Sequence, residues 1–481
     1  MASDACERWF RRVHWVMVVP GLIYMMYGSM WNLLNNYLYN PLTFYVDTAH
    51  LQWNTTFPAV TLCQVVNTET IAELSESYFG ELRDPAVDSL VTDIAFSGSA
   101  CYACEQCLGE SGPGLDCGAL SNFTDILRRY RAPCEALLSD CHWQSEPLDC
   151  CRLFRPLDTE FGRCYGANAA NADPVPAGVA EPPKLVSNRV TGPGGLHFRV
   201  LEDVQLYLHD EYSVPHAYVE RTLRETVLWG MRKEIVVRTI EMQNRPSVRE
   251  LPIERRNCRF PSEIADRDGQ LYSFYSFSSC AVECFARTQR NYCNCTHHLM
   301  PRPLHHETPP SSICSFEGLT CLTEHSVEIA HARKQCPCLS SCVEPEYFVV
   351  HKTENDFAAD TEDGLVTVRL LSLPYERFVR NIAKTDMDLF IALGGLIGLF
   401  FGASLLTAID FLLNLCYVAT FRARCNRRSI TMPTRRTFRR TFRHRRLAGA
   451  SASGTWRPIQ VAIGGPETLG STGTAAGQLG I

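Results

Sequence analysis

Two apolar windows bracket the chain. The second, Leu389 to Val418, carries one acid, Asp410, and no base. At about 1.5 Å per residue it predicts one helix long enough to cross a bilayer with tilt. Gly394, Gly398 and Gly402 recur every four residues and share one helix face, a double GxxxG, with Gly395 beside them. That pattern lets helix backbones touch inside a membrane. Gly402-Ala403-Ser404 is a cluster of small residues with one hydroxyl. Asp410 follows two turns on, where a carboxylate needs water, a partner or an ion. From this segment alone a pore-lining helix and a packed anchor both stay open, because glycines in membrane helices often serve packing only. The first window, His14 to Leu34, has no small-x-small cleavage site and runs on through Trp31 to Tyr37. It reads as an uncleaved helix over 13–37 rather than a signal peptide.

Charge sets the orientation. Arg8, Arg11 and Arg12 precede the first helix, and no base follows until Arg83. Arg422, Arg424, Arg427, Arg428, Arg435, Arg436, Arg439, Arg440, Arg443, Arg445 and Arg446 follow the second helix with no acid among them. Cytoplasmic flanks carry such an excess, so both termini are expected in the cytosol and residues 38–388 outside, at the plasma membrane. The arginine run is either a headgroup-binding patch or a stop-transfer flank. The Gly/Ala/Ser/Thr-rich end from Ala448 reads as disordered. Subtracting +11 for 422–446 and +1 for 1–12 from the overall −6 leaves −18 on 13–421, with 447–481 neutral. An acidic outer region concentrates cations near a membrane mouth, and it equally serves solubility.

Twenty of the 23 cysteines lie between Cys63 and Cys342. An even number outside the cell implies disulfides, and this reading is preferred to metal binding for Cys101-x-x-Cys104-x-x-Cys107. Cys6, Cys416 and Cys425 fall on the cytosolic side. Asn54, Asn122 and Asn294 head N-x-Thr acceptor sites for glycosylation.

Between the windows, FPAVTLC at 57–63 predicts a short strand. Residues 70–160 read as helical stretches broken by cysteine clusters, and 167–195 as a loop. Leu196, Phe198 and Val200 alternate with strand period, and 235–237, 347–351 and 366–371 are further β runs. Cys280 and Cys284 share one helix face. The fourteen histidines are scattered, and no HExxH, GxSxG or P-loop occurs, so no enzymatic constellation, metal site, cofactor or nucleic-acid partner is expected.

Taken in order, FPAVTLC (57–63), GRCYGAN (162–168), ERRNCRFPSE (254–263), the run from Cys280 to Cys342 and GGLIGLFFGASLLTAIDF (394–411) resemble the degenerin/epithelial sodium channel superfamily, the amiloride-sensitive sodium channels, most nearly its arthropod pickpocket branch. The resemblance implies a membrane protein of α+β class. Two transmembrane helices flank a large disulfide-rich, hand-like ectodomain with β palm and β-ball, helical finger, thumb (about 258–342) and knuckle. A basic, then disordered cytosolic tail covers 419–481. It further implies a homo- or heterotrimer in the lipid bilayer that passes sodium ions. Gly402, Ala403 and Ser404 would form the selectivity filter, with Asp410 at the inner mouth, Gly394, Gly395 and Gly398 in pore-helix packing, and Ile391 at a position governing opening. Ten thumb cysteines match the family's, implying Cys258–Cys342, Cys280–Cys338, Cys284–Cys336, Cys293–Cys321 and Cys295–Cys314, with Cys63–Cys164 tying the strand to the palm. Cys101 to Cys151 stay unassigned, apart from Cys141 with Cys150 or Cys151. Two departures stand out: residues 1–12 lack the family's His-Gly pair, and Ile391 is bulky where the family prefers a small residue. The function expected is a voltage-insensitive, sodium-selective channel opened by an extracellular stimulus. The alternative is a non-conducting surface receptor or modulatory subunit on the same scaffold. An ATP-gated purinergic-type channel shares the topology but not the Cys280–Cys342 pattern.

Overall fold

The computed structural model describes residues 2–49, 53–81, 84–98, 100–108, 117–118, 120–264, 270–304, 313–356, 364–402 and 409–418, with the backbone alone at 2–8, 10–12, 355–356 and 401. Residues 1–403 and 404–481 form separate units, the second contributing the helix Ile409–Val418.

In chain order the helices are α1 (Ala2–Tyr39), α2 (Thr68–Phe79), α3 (Pro85–Phe96), α4 (Phe123–Tyr130), α5 (Cys134–Leu137), α6 (Cys150–Leu153), α7 (Ile253–Arg256), α8 (Phe277–Cys293), α9 (Phe316–Glu324), α10 (Ser326–Lys334) and α11 (Asp386–Phe401). The strands are β1 (Leu42–Asp47), β2 (Thr55–Thr56), β3 (Ala59–Gln64), β4 (Leu138–Trp143), β5 (Glu146–Leu148), β6 (Phe154–Thr159), β7 (Gly162–Ala167), β8 (Val186–Ser187), β9 (Gly195–Val200), β10 (Val204–His209), β11 (Arg224–Val227), β12 (Met231–Asn244), β13 (Cys258–Arg259), β14 (Ser340–Ser341), β15 (Glu346–Asp356), β16 (Gly364–Leu370) and β17 (Arg377–Ile382).

An eight-stranded sheet runs β1-β17-β12-β16-β9-β4-β5, with β15 also paired to β12, and a five-stranded sheet runs β11-β10-β3-β7-β6. Their alternating apolar faces meet in one core, where Val60, Leu62, Phe154 and Leu206 join Phe198, Ile235, Val237 and Val368. Burial on one face is what period-2 patterning produces. A second core is helical: Leu90, Val91 and Ile94 of α3 pack with Phe123 and Ile126 of α4, Val282 and Phe285 of α8, and Leu319 of α9. These helices carry the local start signals their sequences advertise. Asn67, Asp84 and Asn122 cap α2, α3 and α4, and Ser276 and Ser279 close a capping box on α8.

The 70–160 stretch is less helical than its pattern predicts, because β4, β5 and β6 occupy its last third. β4 pairs with the distant β9, and β6 forms a hairpin with β7, which in turn pairs with the distant β3, so tertiary pairing overrides local propensity.

Among the described residues, one helix, Val13–Tyr39, is long and apolar enough to cross a membrane. Where the sequence predicts a single helix over 389–418, α11 starts at a Thr385/Asp388 capping box and stops at Phe401. Gly402 caps it with φ +61°, a left-handed conformation that glycine adopts without a Cβ penalty and that ends helices. Residues 403–408 lie outside the described residues.

Phe198 is wholly buried between the sheets, edge-on to Phe154 at 5.1 Å. Phe198→Ala should destabilise by about 3–5 kcal/mol, while Val190→Ala, at a 95% exposed position, should stay within about 0.5 kcal/mol. Denaturant unfolding of the purified protein checks both.

Candidate functional site

The two helices that carry the apolar windows of this unit are joined through one ribbon. α1 leads into β1 and β17 leads into α11. β1 and β17 pair antiparallel from Leu42↔Ile382 to Asp47↔Arg377. The Ala383 amide donates to Pro41 O at 2.8 Å. An antiparallel pair places the end of one strand beside the start of the other, so α1 and α11 leave the ribbon as neighbours and pack together.

Tyr37 ties three elements at that exit. Its hydroxyl donates to the Asp386 carboxylate at the start of α11. Its carbonyl accepts from Arg255 Nη2 at 2.7 Å, and its ring lies under the Arg255 guanidinium, 4.6 Å from the centroid. Arg255 sits on α7, which ends at left-handed Asn257 just before Cys258. Cys258 is bonded to Cys342, so α7 is anchored to the cysteine-rich helical region. Three more arginines face aromatics beside the ribbon: Arg245 over Tyr45, Arg377 over Trp53 and Arg380 over Phe44. The sequence pattern marks Tyr37 only as the end of the first predicted helix and does not single out Arg255 or Asp386. The Thr385-x-x-Asp388 capping signal just before the apolar run was the available clue that a helix starts there.

The structure joins Cys258–Cys342, Cys280–Cys338, Cys284–Cys336, Cys293–Cys321, Cys295–Cys314 and Cys63–Cys164. It pairs the others as Cys101–Cys104, Cys107–Cys117, Cys134–Cys151 and Cys141–Cys150. Each contributes about 2–4 kcal/mol. Cys293, Cys321 and His325 cluster within 4.8 Å, but the disulfide removes the thiolates a metal would need.

Of the expected pore residues, Gly402 ends α11. Ala403 and Ser404 lie outside the described residues. Asp410 lies in the helix Ile409–Val418 of the second unit, exposed. Ile391 is 63% exposed in the single chain. A Cβ built on Gly394 or Gly395 would meet no atom within 4 Å. Asn54, Asn122 and Asn294 are exposed.

The helical region meets the sheets at a buried ion pair, Arg333 of α10 with Glu160 of the β6–β7 turn, 2.6 Å apart. The Ala217 amide also donates to Glu160, and Arg333 stacks over Phe285 and Tyr218. Burial raises the Glu160 pKa against the pull of Arg333. We read this as desolvation outweighing attraction, the usual balance for an ion pair far from water.

The family model described as amiloride-sensitive sodium channel matches residues 3–413. The chain belongs to the amiloride-sensitive sodium channel family. That is a family of ion channels, not of enzymes, and membership makes the chain a membrane protein. The sodium channel protein Nach of Drosophila ananassae is 23% identical over 327 residues, covering 61% of this chain and 59% of that protein. Acid-sensing ion channel 2 of Danio rerio is 24% identical over 287 residues, covering 53% and 50%. Pickpocket protein 28 of Drosophila melanogaster is 23% identical over 400 residues, covering 67% and 65%. The chain thus spans between half and two thirds of the length of these relatives.

Four buried or half-buried histidines resist protonation in the folded chain. Burial above all pushes His209, His216 and His298 down to about 4, and His297 well below its ordinary 6.5. His209 Nδ1 donates to the Asp210 carbonyl and its Nε2 accepts from the Thr61 hydroxyl, both at 2.7 Å. Through these histidines the unfolded chain binds more protons than the folded one between about pH 6.5 and 4, so their contribution to stability is present at neutral pH and is lost on acidification, while the raised pKa of Glu160 works in the opposite sense. The melting temperature should therefore fall from pH 7 to pH 5, and His209→Gln should flatten that slope. Calorimetric scans across this range decide it; an unchanged slope would remove His209 from the account.

Proposed function

We propose that this chain is a subunit of a trimeric, sodium-selective, voltage-insensitive cation channel of the plasma membrane. It has two membrane helices, both termini in the cytosol, and gating by an extracellular stimulus. The observation that carries the reading is the family match across residues 3–413. In this reading the sheets and the helical region form the hand-like ectodomain, its palm, β-ball, finger, thumb and knuckle lying outside, and the exposed Asn54, Asn122 and Asn294 carry glycans.

The filter is at Gly402, Ala403 and Ser404. Three subunits each offering one small residue per level can form a ring tight enough to exclude potassium, and bulky residues cannot. Gly402 supports this: it ends α11 and leaves backbone carbonyls free of a helical partner. The open face at Gly394 and Gly395 suits close approach of neighbouring subunits' helices, and the GxxxG spacing puts Gly398 on the same face as Gly394. Ile391 governs opening from the same helix, and Asp410 holds cations at the inner mouth. The stimulus reaches the pore through Arg255 and Tyr37, because a shift of α7 moves both membrane helices at their ribbon.

The test is current recorded from cells expressing the chain. Gly402→Ser and Ser404→Cys should each raise relative potassium permeability, read as a shifted reversal potential; a tenfold loss of preference corresponds to about 1.4 kcal/mol. Asp410→Asn should shrink current and leave ion choice nearly unchanged. Unaltered sodium preference in both belt variants, with robust current, would place the filter elsewhere. A trimer that reaches the surface and stays silent under every stimulus would support a receptor instead.

Arg255→Ala should leave assembly and the unfolding midpoint nearly intact while slowing or weakening the response to stimulus, and Arg255→Lys should restore part of it. Wild-type activation kinetics in the alanine variant would break the proposed link.

A further inference from the structure

A cavity of about 740 Å³ between the end of α4, the start of β7 and residues 298–302 has no part in the reading above. Four arginines line it, Arg128, Arg131, Arg163 and Arg302, against one acid, Asp158. Residues 13–421 carry −18, so this lining runs against the charge of the region around it.

The four are not equivalent. Arg163 is paired with Asp158 at 3.1 Å and Arg128 with Asp125 at 2.9 Å. Arg302 is exposed and has no ion pair among the described residues. Arg131 is held rigidly: Nε donates to Ala95 O at 2.8 Å, Nη2 to Phe161 O at 2.6 Å, and the guanidinium lies over Phe96 at 4.6 Å. Its Nη1 is buried with no partner. A buried donor left unmade costs its full desolvation, and burial lowers the Arg131 pKa to about 10. Among the described residues Arg131 has backbone carbonyls but no carboxylate beside it, so an anion in the cavity would offset the cost of burying its positive charge. The remaining wall is apolar, with Leu127, Leu299 and Met300. Apolar walls with a few fixed polar groups are the usual make-up of a small-molecule site, and a guanidinium fork matches a carboxylate.

We propose that this cavity binds a small organic carboxylate, its charge held by Arg131 and Arg302 and its body against the apolar wall. The site lies away from the helix exit, so occupancy is a ligand input separate from conduction itself.

The full chain in detergent micelles, titrated by calorimetry with empty micelles subtracted, tests this with three probes. 2-Naphthoate should bind saturably, its neutral counterpart 2-naphthamide about tenfold more weakly or worse, and inorganic phosphate not measurably. Arg302→Gln, at an exposed position that the fold does not rest on, should weaken naphthoate about tenfold with an unchanged melting temperature. Arg131→Gln should do the same, and if that variant fails to fold, Arg302→Gln decides alone. Equal affinity for the amide would make the cavity merely apolar, and phosphate binding as tightly as naphthoate would make it a bare oxyanion site. No naphthoate binding, or unchanged affinity in Arg302→Gln, would overturn the proposal.

Discussion

The pairing of β1 with β17 is the constraint on which the rest depends. These strands stand at opposite ends of the sheet-bearing region, yet they are hydrogen-bonded neighbours in one sheet. Closing so long a loop is entropically unfavourable, though the penalty grows only logarithmically with length. It is offset by everything folded in between: two sheets on a shared core, a helical core, and ten disulfides that restrict the unfolded chain. Because the ribbon closes, α1 and α11 emerge together, and a change in the intervening fold is felt where they begin.

Arginine–aromatic contacts reinforce that exit. Arg245, Arg255, Arg377 and Arg380 each face a ring near the ribbon. A guanidinium over a ring contributes about 0.5–2 kcal/mol, depending on how dry it is. The arrangement suits a junction between water and lipid, where arginine keeps its charge while its plane covers apolar surface. Arg255 adds a hydrogen bond to the backbone of the same tyrosine, which gives the contact direction as well as energy. In the proposed channel, such a joint would be stiff enough to transmit a displacement from outside the membrane and small enough to break.

Beyond the ribbon, the helical region is keyed to the sheets by charged groups that water would compete for. Arg333 and Glu160 meet there in a buried pair; within the five-stranded sheet itself, His209 of β10 bridges Thr61 of β3 and the Asp210 carbonyl. Such pairs add little net stability compared with apolar packing. They penalise any docking in which a charge is left alone. The same burial that makes the histidines resist protons makes their protonation unfavourable to the fold, so rigidity and this acid sensitivity share one physical origin.

The residues alone decided whatever depends on local periodicity or covalent chemistry. The apolar windows, the strand at FPAVTLC, the helical spacing of Cys280 and Cys284 and the alternation around Phe198 are all legible, because a helix or strand face is set by spacing. The family motifs at 162–168 and 394–411 were legible as well, since both are contiguous. Tertiary structure alone decided what joins distant segments. It put β4 to β6 into sheets where the local pattern suggested helix. It paired Cys134 with Cys151, and it brought Tyr37, Arg255 and Asp386 to one point across most of the chain. It also turned four arginines scattered from 128 to 302 into one cavity wall. No spacing rule encodes such meetings, because they exist only once the sheets have closed and the intervening chain has been spent on a fold.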